Sequence, residues 1–555
     1  MNINLGETDN KKLAGVLPIL FQLIERLNQD NEKLKIENQK LRDEISLLKG
    51  EQGKPKIRGN NPKVTCKKTG KNISSEIQRK KVEKKKKKKA KGKKHKIKID
   101  RTEVCKVDQS NLPQDVVFKG HESVIIQEIL IKTDNVEYKK EVFYSATERK
   151  TYVGQLPVGI TGEFGPGVRS LVCTLKHVGN MSEPKILELL ENCGIFISQS
   201  TISRILTNDE SGFNKEKEEI FRAALESTPF QQIDDTTVRV NGKNQYSQIF
   251  CNPYYTAFFT VPHKNRLTIL DILLCGKERT YIFDSKALNL LSSLNVSKKI
   301  INQIRELTDN LKVTRERELS EAQMQNLLKK IFPDAKKGKN TRTRIMEAAA
   351  IASYHSQTKI PVVNILLSDD APQFKKLTAQ HALCWIHEGR HYNRLSPIVP
   401  FNVDELKKFK TRFWDYYGEL LKYKENPKPE TAVKLSSEFD DLFSTKTGYD
   451  NLDDRIEKTN NKKQALLLVL KYPYLPLHNN DSELGARVEK RRQDVSLQTK
   501  SDKGTKAKDS FLTVTQTAKK LGVNSYKYIY DRISKTFSMI SLADLILQNS
   551  LPQIE

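Results

Sequence analysis

The sequence predicts a mixed α/β fold with helical insertions, preceded by an N-terminal coiled coil and a helix-turn-helix segment. Three observations carry this expectation. Leucines recur every seven residues between positions 17 and 49. After residue 230, QQIDDTTVRV, YSQIFCNPYYTAFFTV and RLTILDILLCG follow one another as three strands of a meander would. Further on, IPVVNILLSDDAPQF is a continuous apolar run that ends on acid, as a buried parallel strand does.

The coiled coil is assigned to residues 14–50. Leu20, Leu27, Leu34, Leu41 and Leu48 occupy d positions, which puts Leu17, Ile24, Asn31, Asn38 and Ile45 at a. Asparagine at a weakens a core but fixes register and the two-stranded state in a parallel pair. Asp30, Glu37 and Glu44 at g then face Lys35, Arg42 and Lys49 at e of a partner, and all three pairs attract. A parallel homodimeric zipper is the reading; the alternative is an amphipathic helix packed on its own body.

Residues 51–100 form a lysine-rich linker. The 555-residue chain carries a net charge of +28, and about +19 of it falls between Lys54 and Lys98, where 21 Lys/Arg meet only Glu76 and Glu83. Such a block repels itself, stays solvated and binds polyanions through counterion release. Seven cysteines (66, 105, 173, 193, 251, 275 and 384) show no C-x-x-C spacing, which argues for a reducing compartment rather than a disulfide framework. No apolar run approaches the roughly 20 residues of a membrane helix, and no signal segment opens the chain. A soluble intracellular protein without a membrane partner is expected.

Residues 101–160 alternate apolar and polar positions and predict a small β-rich segment. Residues 161–226 turn helical. SEPKILELLENCGIFISQSTISRIL places two helices around Gly194, with Ser198 capping the second. That second helix, with Ser200, Thr201, Ser203 and Arg204, has the polar face of a DNA-reading helix, although plain helical hairpins look alike. The α/β region spans 227–500, interrupted by charged helical insertions at about 281–350 and 402–470. Within the second, Trp414, Tyr416, Tyr417 and Leu420 make a packing stripe. Residues 501–555 form a C-terminal helical segment around Gly522.

Acidic residues mark three of these elements: Asp234 and Asp235 in the first strand, Asp369 and Asp370 after the buried one, and Glu483 where LPLHNNDSELGAR opens a helix. Two strand carboxylates and one from a helix form the oxygen-ligand set that two-metal phosphoryl transfer needs. Each also has a structural reading. Strand-end acids cap turns, Asn480 and Glu483 have capping-box spacing, and Glu483–Arg487 is an i,i+4 ion pair. His381, Cys384, His387 and His391 have zinc-ligand types, but Leu383 and Trp385 flank the cysteine like core residues, so a structural zinc is not expected. His387, Arg390 and Arg394 read instead as a phosphate-facing helix surface.

Taken in order, the zipper, the helix-turn-helix, IDDTTVRV, LLSDDAPQF, HALCWIHEGRHYNRL, LHNNDSELGAR and SDKGTKAKDSFLTVTQTAKKLGVNSYKYIYDRI resemble the DDE-type transposases of the insertion sequence 66 family. The resemblance covers about residues 150–535. It implies an RNase H-like core in which Asp234, Asp369 and Glu483 hold two Mg²⁺ ions (with Mn²⁺ as a substitute), leaving Asp234 against Asp235 and Asp369 against Asp370 open. It further implies cleavage of DNA 3′ ends and strand transfer. The partners implied are double-stranded DNA at transposon ends and target, a homodimer or higher oligomer, and accessory transposition proteins. Arg487 and Arg491 join the DNA-binding candidates, and the setting implied is the bacterial cytoplasm at the nucleoid. Two departures stand out. Cys66 and Cys105 alone remain where the family has a paired-cysteine zinc segment, and His478 and Leu484 replace the family's Asp and Arg. An inactive DNA-binding dimer and a metal-dependent nuclease on the same fold are the alternatives.

Overall fold

The structure is a computed structural model that describes residues 7–48, 99–107, 117–129, 131–208, 211–310, 318–334 and 337–550. The chain divides into two units, one of Met1–Ile57, Glu137–Asn192 and Phe196–Glu555, the other of Arg58–Val136 with Cys193–Ile195. The lysine-rich linker lies outside the described residues up to position 98. In the second unit the described residues form no regular element. Ile126 and Ile129 are about four-fifths exposed there, and no sheet among the described residues covers the alternating apolar pattern. Among the described residues of 101–160, the strands expected there are one antiparallel hairpin in the first unit, β1 (Val142–Ser145) and β2 (Lys150–Val153).

The first unit opens with the long helix α1 (Glu7–Leu48). One face of it is used within the chain. The Glu25 carboxylate is buried and accepts from the backbone N–H groups of Ile398 and Val399 at 2.8 and 2.9 Å, and Gln22 donates to Asp450 at 2.8 Å. Glu25 and Gln22 are b and f positions of the heptad. The a/d seam points elsewhere: Leu20, Leu27, Asn31, Leu34, Asn38 and Leu41 are exposed, while the Leu48 side chain lies outside the described residues. The helix therefore packs on its own body and keeps its leucine stripe open.

Helices α2 (Pro166–His177), α3 (Glu183–Asn192) and α4 (Gln199–Thr207) follow. Their apolar stripe, Val172, Ile186, Leu190, Ile202 and Leu206, is buried. The Ser198 side chain accepts from the Thr201 N–H at 3.2 Å, the N-cap anticipated from sequence. Helix α5 (Phe213–Ser227) leads into the sheet.

The sheet has five strands: β3 (Phe230–Val240), β4 (Lys243–Asn252), β5 (Tyr255–Val261), β6 (Ile365–Ser368) and β7 (Gln380–Leu383). Their order is β5-β4-β3-β6-β7, antiparallel from β3 to β5 and parallel from β3 through β6 to β7. The α/β class is thus observed, with one correction to the expected meander. YSQIFCNPYYTAFFTV is a hairpin by itself, and RLTILDILLCG, expected as a strand, is helix α6 (Arg266–Leu273). Asn265 decides this: its side chain accepts from the Thr268 N–H at 2.9 Å and starts the helix. A short aliphatic run has no periodicity able to choose between the two forms.

The first insertion holds α7 (Ser285–Ser293), α8 (Lys298–Asn310), α9 (Glu321–Ile331) and α10 (Lys339–Ser356). After β7 comes α11 (Trp385–Asn393). The second insertion then runs through α12 (Pro400–Glu425), α13 (Pro429–Phe443), α14 (Asp450–Asn460), α15 (Lys463–Leu466) and α16 (Leu468–Lys471). Its core is aromatic. Trp385 is fully buried among Phe413, Tyr416, Phe439 and Phe443, and its indole N–H donates to the Leu466 carbonyl at 2.9 Å. Helices α17 (Asn480–Val495), α18 (Asp502–Lys520), α19 (Ser525–Ile533) and α20 (Leu542–Ser550) complete the chain.

Candidate functional site

Strand register brings the first two acids level. Gln232 pairs with Leu367 in the parallel β3–β6 ladder, so Asp234, two residues on, stands beside Asp369, one residue past the end of β6. Neighbouring strands lie about 4.8 Å apart. Side chains alternate along β3, so Asp234 and Asp235 point to opposite faces. Asp234 shares its face with its cross-strand partner Ile249, which packs with Phe258, Leu512, Ala486 and Val488 beneath α17 and α18.

Helix α17 brings the third acid. It can lie close to the sheet because Gly485 faces Ile249, where an added Cβ would come within 2.7 Å of the isoleucine Cγ2. Its start is pinned by Asn479. That residue's Nδ2 donates to the Ile233 carbonyl at 2.8 Å, and its backbone N–H meets Cys384 Sγ at 3.3 Å. The capping box anticipated between Asn480 and Glu483 does not form. Asn479 is the N-cap, its side chain caps no helical N–H, and its amide is committed to the strand that carries Asp234.

The two doublets resolve by their partners. Asp235 accepts from Gln373 at 2.7 Å and pairs with Lys264 at 3.4 Å. Asp370 pairs with Lys375 at 2.7 Å and Lys462 at 2.8 Å; burial alone would raise its pKa, but these ammonium groups hold it below the usual carboxylate range. Asp234 and Asp369 have no such cations among the described residues. They accept only from backbone, Asp235 N–H to Asp234 at 2.8 Å and Ala371 N–H to Asp369 at 3.1 Å. Burial, then the charges of Asp369, Glu483 and Asp235, push Asp234 up to about 7. Burial also raises Asp369, with Asp235 and Asp370 adding to it and His387 opposing.

Glu483 is held differently. Arg390 donates to it at 3.0 Å, and His387 Nε2 and the Arg487 guanidinium each lie 3.6 Å away. Helix α11 directs these groups. Trp385, Glu388 and Tyr392 turn into the insertion core, which leaves His387, Arg390 and Arg394 on the other side. Sequence reasoning placed His387 and Arg390 toward phosphate; the structure sets both against Glu483. Arg394 and Arg491 are exposed, Arg487 is half-exposed, and on α4 Ser200 and Arg204 are exposed while Thr201 and Ser203 are half-buried.

Two features had no signal in the sequence. Glu388, buried in α11, receives Arg455 and Lys462 from the second insertion, the latter at 3.1 Å, and the same Lys462 reaches Asp370. Asn479 is the other; the doubled asparagine was visible, but its contact to a strand 246 residues away was not.

The donor sets can be tested for the metals they suit. Hard divalent cations take oxygen ligands. Asp234 and Asp369, uncompensated and raised, are the oxygens a cation would relieve, so with Glu483 they fit such ions chemically. Among the described residues, three ligand atoms of His, Cys, Asp or Glu fall within 4.8 Å of one another in one group, Cys384, His387 and Glu483. There the Arg390 guanidinium already donates to both His387 Nε2 and Glu483 at 3.0 Å, and burial pushes the Cys384 thiol up to about 11, so that group suits zinc poorly. The zinc-type quartet is not gathered, since His381 Nε2 is engaged with Ser368 Oγ at 2.8 Å.

No family model matches the chain. The chain is similar to the uncharacterized protein y4jO of Sinorhizobium fredii, with 29% identity over 320 residues, which make up 57% of this chain and 94% of that protein. No helix among the described residues is long and apolar enough to cross a membrane.

Proposed function

We propose that the chain is a DDE-type transposase of the insertion sequence 66 family, acting on DNA from an RNase H-like core. The observation that carries this reading is the register that sets Asp234 beside Asp369, with Glu483 delivered by α17 and the neighbouring Asp235 and Asp370 neutralised elsewhere. A sheet with three antiparallel strands followed by two parallel ones supports the RNase H-like assignment.

Asp234, Asp369 and Glu483 would hold two Mg²⁺ or Mn²⁺ ions, which supply activation of the attacking oxygen and stabilisation of the leaving 3′ oxygen. The chain's own groups do the rest. Asn479 fixes the origin of α17 against β3, and Arg390, which also donates to His387 Nε2, orients Glu483. Lys375 and Lys462 keep Asp370 turned aside, so that Asp369 faces Asp234. Arg394, Arg487 and Arg491 offer exposed guanidinium groups to phosphates, while Ser200, Thr201, Ser203 and Arg204 on α4 read base edges in the terminal repeats. The lysine-rich linker adds salt-sensitive affinity. The open leucine seam of α1 pairs two subunits, which holds two ends in one complex. Accessory transposition proteins and a nucleoid setting belong to the same reading.

The test is strand transfer in Mg²⁺ with linear DNA carrying the element's own ends. Wild type joins ends to target, and the Glu483→Gln variant does not. Equal behaviour of the two removes the catalytic reading; cleavage without joining makes the protein a nuclease. The engagement of Glu483 by Arg390 and Arg487 favours one second reading, a DNA-binding dimer without catalysis. Specific end binding with no chemistry in either protein would select it.

A further inference from the structure

Next to the carboxylates, a cavity of about 480 Å³ opens between the start of β3, the β4–β5 turn and the loop that enters α17. This lies within the range of small-molecule sites, roughly 300–1,000 Å³. Its walls are rings: Phe230, Tyr254 and Tyr474, with three prolines between them. Tyr474 stacks on Phe230 at 6.2 Å and 25° and meets the Tyr472 ring at 5.8 Å and 43°, yet stays 47% exposed. The polar edge is small and varied. Gln232, which lines the cavity, is 2% exposed, and its Oε1 has no hydrogen-bond partner. His478 Nδ1 accepts from the Asn480 N–H at 3.3 Å, which leaves the proton on Nε2 as a donor. Asp481 makes no hydrogen bond or ion pair among the described residues and is an open acceptor.

The position of the cavity ties it to the candidate site. Gln232 and Asp234 are two residues apart on one face of β3, about 6.6 Å. Asp481 and Glu483 share the first turn of α17. A phosphate is a poor occupant, because Asp481 repels it and the walls are apolar. A planar ring with donors and acceptors on its rim suits both the walls and the edge.

We propose that this cavity holds one unpaired nucleobase of the DNA strand engaged at Asp234, Asp369 and Glu483. The base lies on Tyr474 and presents its edge to His478, Asp481 and Gln232. The proposal rests on the reading of the chain as a DNA-acting protein. Asp481 accepts from an exocyclic amine, so adenine, guanine and cytosine are favoured over thymine. Base stacking on an aromatic side chain is worth about 5- to 150-fold in affinity.

The experiment uses the full chain in Ca²⁺, with duplexes whose single-stranded overhang carries 2-aminopurine stepped through successive positions. End-label anisotropy reports total binding, and 2-aminopurine fluorescence reports stacking. Wild type and Tyr474→Phe are expected to quench the probe at one position. Tyr474→Ala should lose the quench and about tenfold in overhang affinity while binding blunt duplex as before. Asp481→Asn should reduce the preference for amine-bearing bases over thymine. DNA binding without position-specific quench, or a quench that survives Tyr474→Ala, overturns the cavity's role and leaves the DNA-acting reading standing. No binding to any duplex overturns both.

Discussion

Replacing Asp234 with Asn should make the metal-free protein more stable at pH 8, against the usual direction for a substitution in a packed region. Burial, then the charges of Asp369, Glu483 and Asp235, push this carboxyl up to about 7, from an ordinary value of about 3.9. Between those values the folded protein binds the proton and the unfolded chain does not. Stability therefore falls as pH rises from about 4 to about 7, and stays low above. About three pKa units at about 1.36 kcal/mol each set a ceiling of about 4 kcal/mol. Asn has the same shape, keeps an acceptor for the Asp235 N–H and carries no charge to desolvate. Thermal and urea unfolding at pH 5 and pH 8 in chelator measure the difference. The variant should gain on wild type at pH 8 and match or trail it at pH 5. Added Mg²⁺ at pH 8 should raise wild type and leave the variant unmoved, because a ligand stabilises only the state that binds it. A variant less stable than wild type at pH 8 would show that Asp234 is held by favourable partners, and the candidate metal site would lose its electrostatic basis.

Gly485→Ala should destabilise the sheet-bearing unit by about 1–3 kcal/mol, seen in thermal melts, because the new methyl meets Ile249 Cγ2 at 2.7 Å. Lys462→Ala leaves the buried Glu388 with one cation fewer and Asp370 with Lys375 alone. A loss of about 3 kcal/mol in stability is expected, with partial recovery in Lys462→Arg, and an unchanged unfolding midpoint would count against the network. Leu27→Asp with Leu34→Asp should halve the mass seen by light scattering without lowering the melting temperature, since both side chains are over half exposed in the single chain. An unchanged mass would place assembly on another surface.

Much of this architecture was legible in local pattern. The continuous apolar run of β6, the long leucine-marked helix and the Ser198 cap each depend on residues a few positions apart, and each formed where the sequence put it. RLTILDILL failed because an aliphatic run fits strand and helix alike, and one cap residue, Asn265, tipped it. The unit containing Ile126 and Ile129 shows the complementary failure, alternation without a neighbouring strand among the described residues. At the site, the acids themselves were visible, but their division of labour was not. Asp369 and Asp370 are chemically identical in sequence. They are separated by Lys375, five positions on, and by Lys462, more than ninety positions away in an insertion whose own packing has to form first.

Glu483 sharpens what that insertion does. Its carboxylate sits against two guanidinium groups and an imidazole, while among the described residues Asp234 accepts from one backbone N–H. Burial lowers the His387 pKa, with Glu483 opposing, so the permanent charge beside Glu483 comes from Arg390 and Arg487. A cation placed among the three acids would therefore be drawn first to the uncompensated pair, Asp234 and Asp369, and would have to compete with Arg390 for Glu483. Arg390 is carried by α11, and α11 is clamped to the second insertion through Trp385, Glu388 and Tyr392. The insertion thus sets where the competing guanidinium stands. The same insertion supplies Lys462 to Asp370 and receives Glu25 and Gln22 from α1. Two of the three acids consequently depend for their electrostatic surroundings on a helical body that contributes no carboxylate of its own. This is a physical reason for an insertion to be placed between Asp369 and Glu483 rather than at an edge of the sheet.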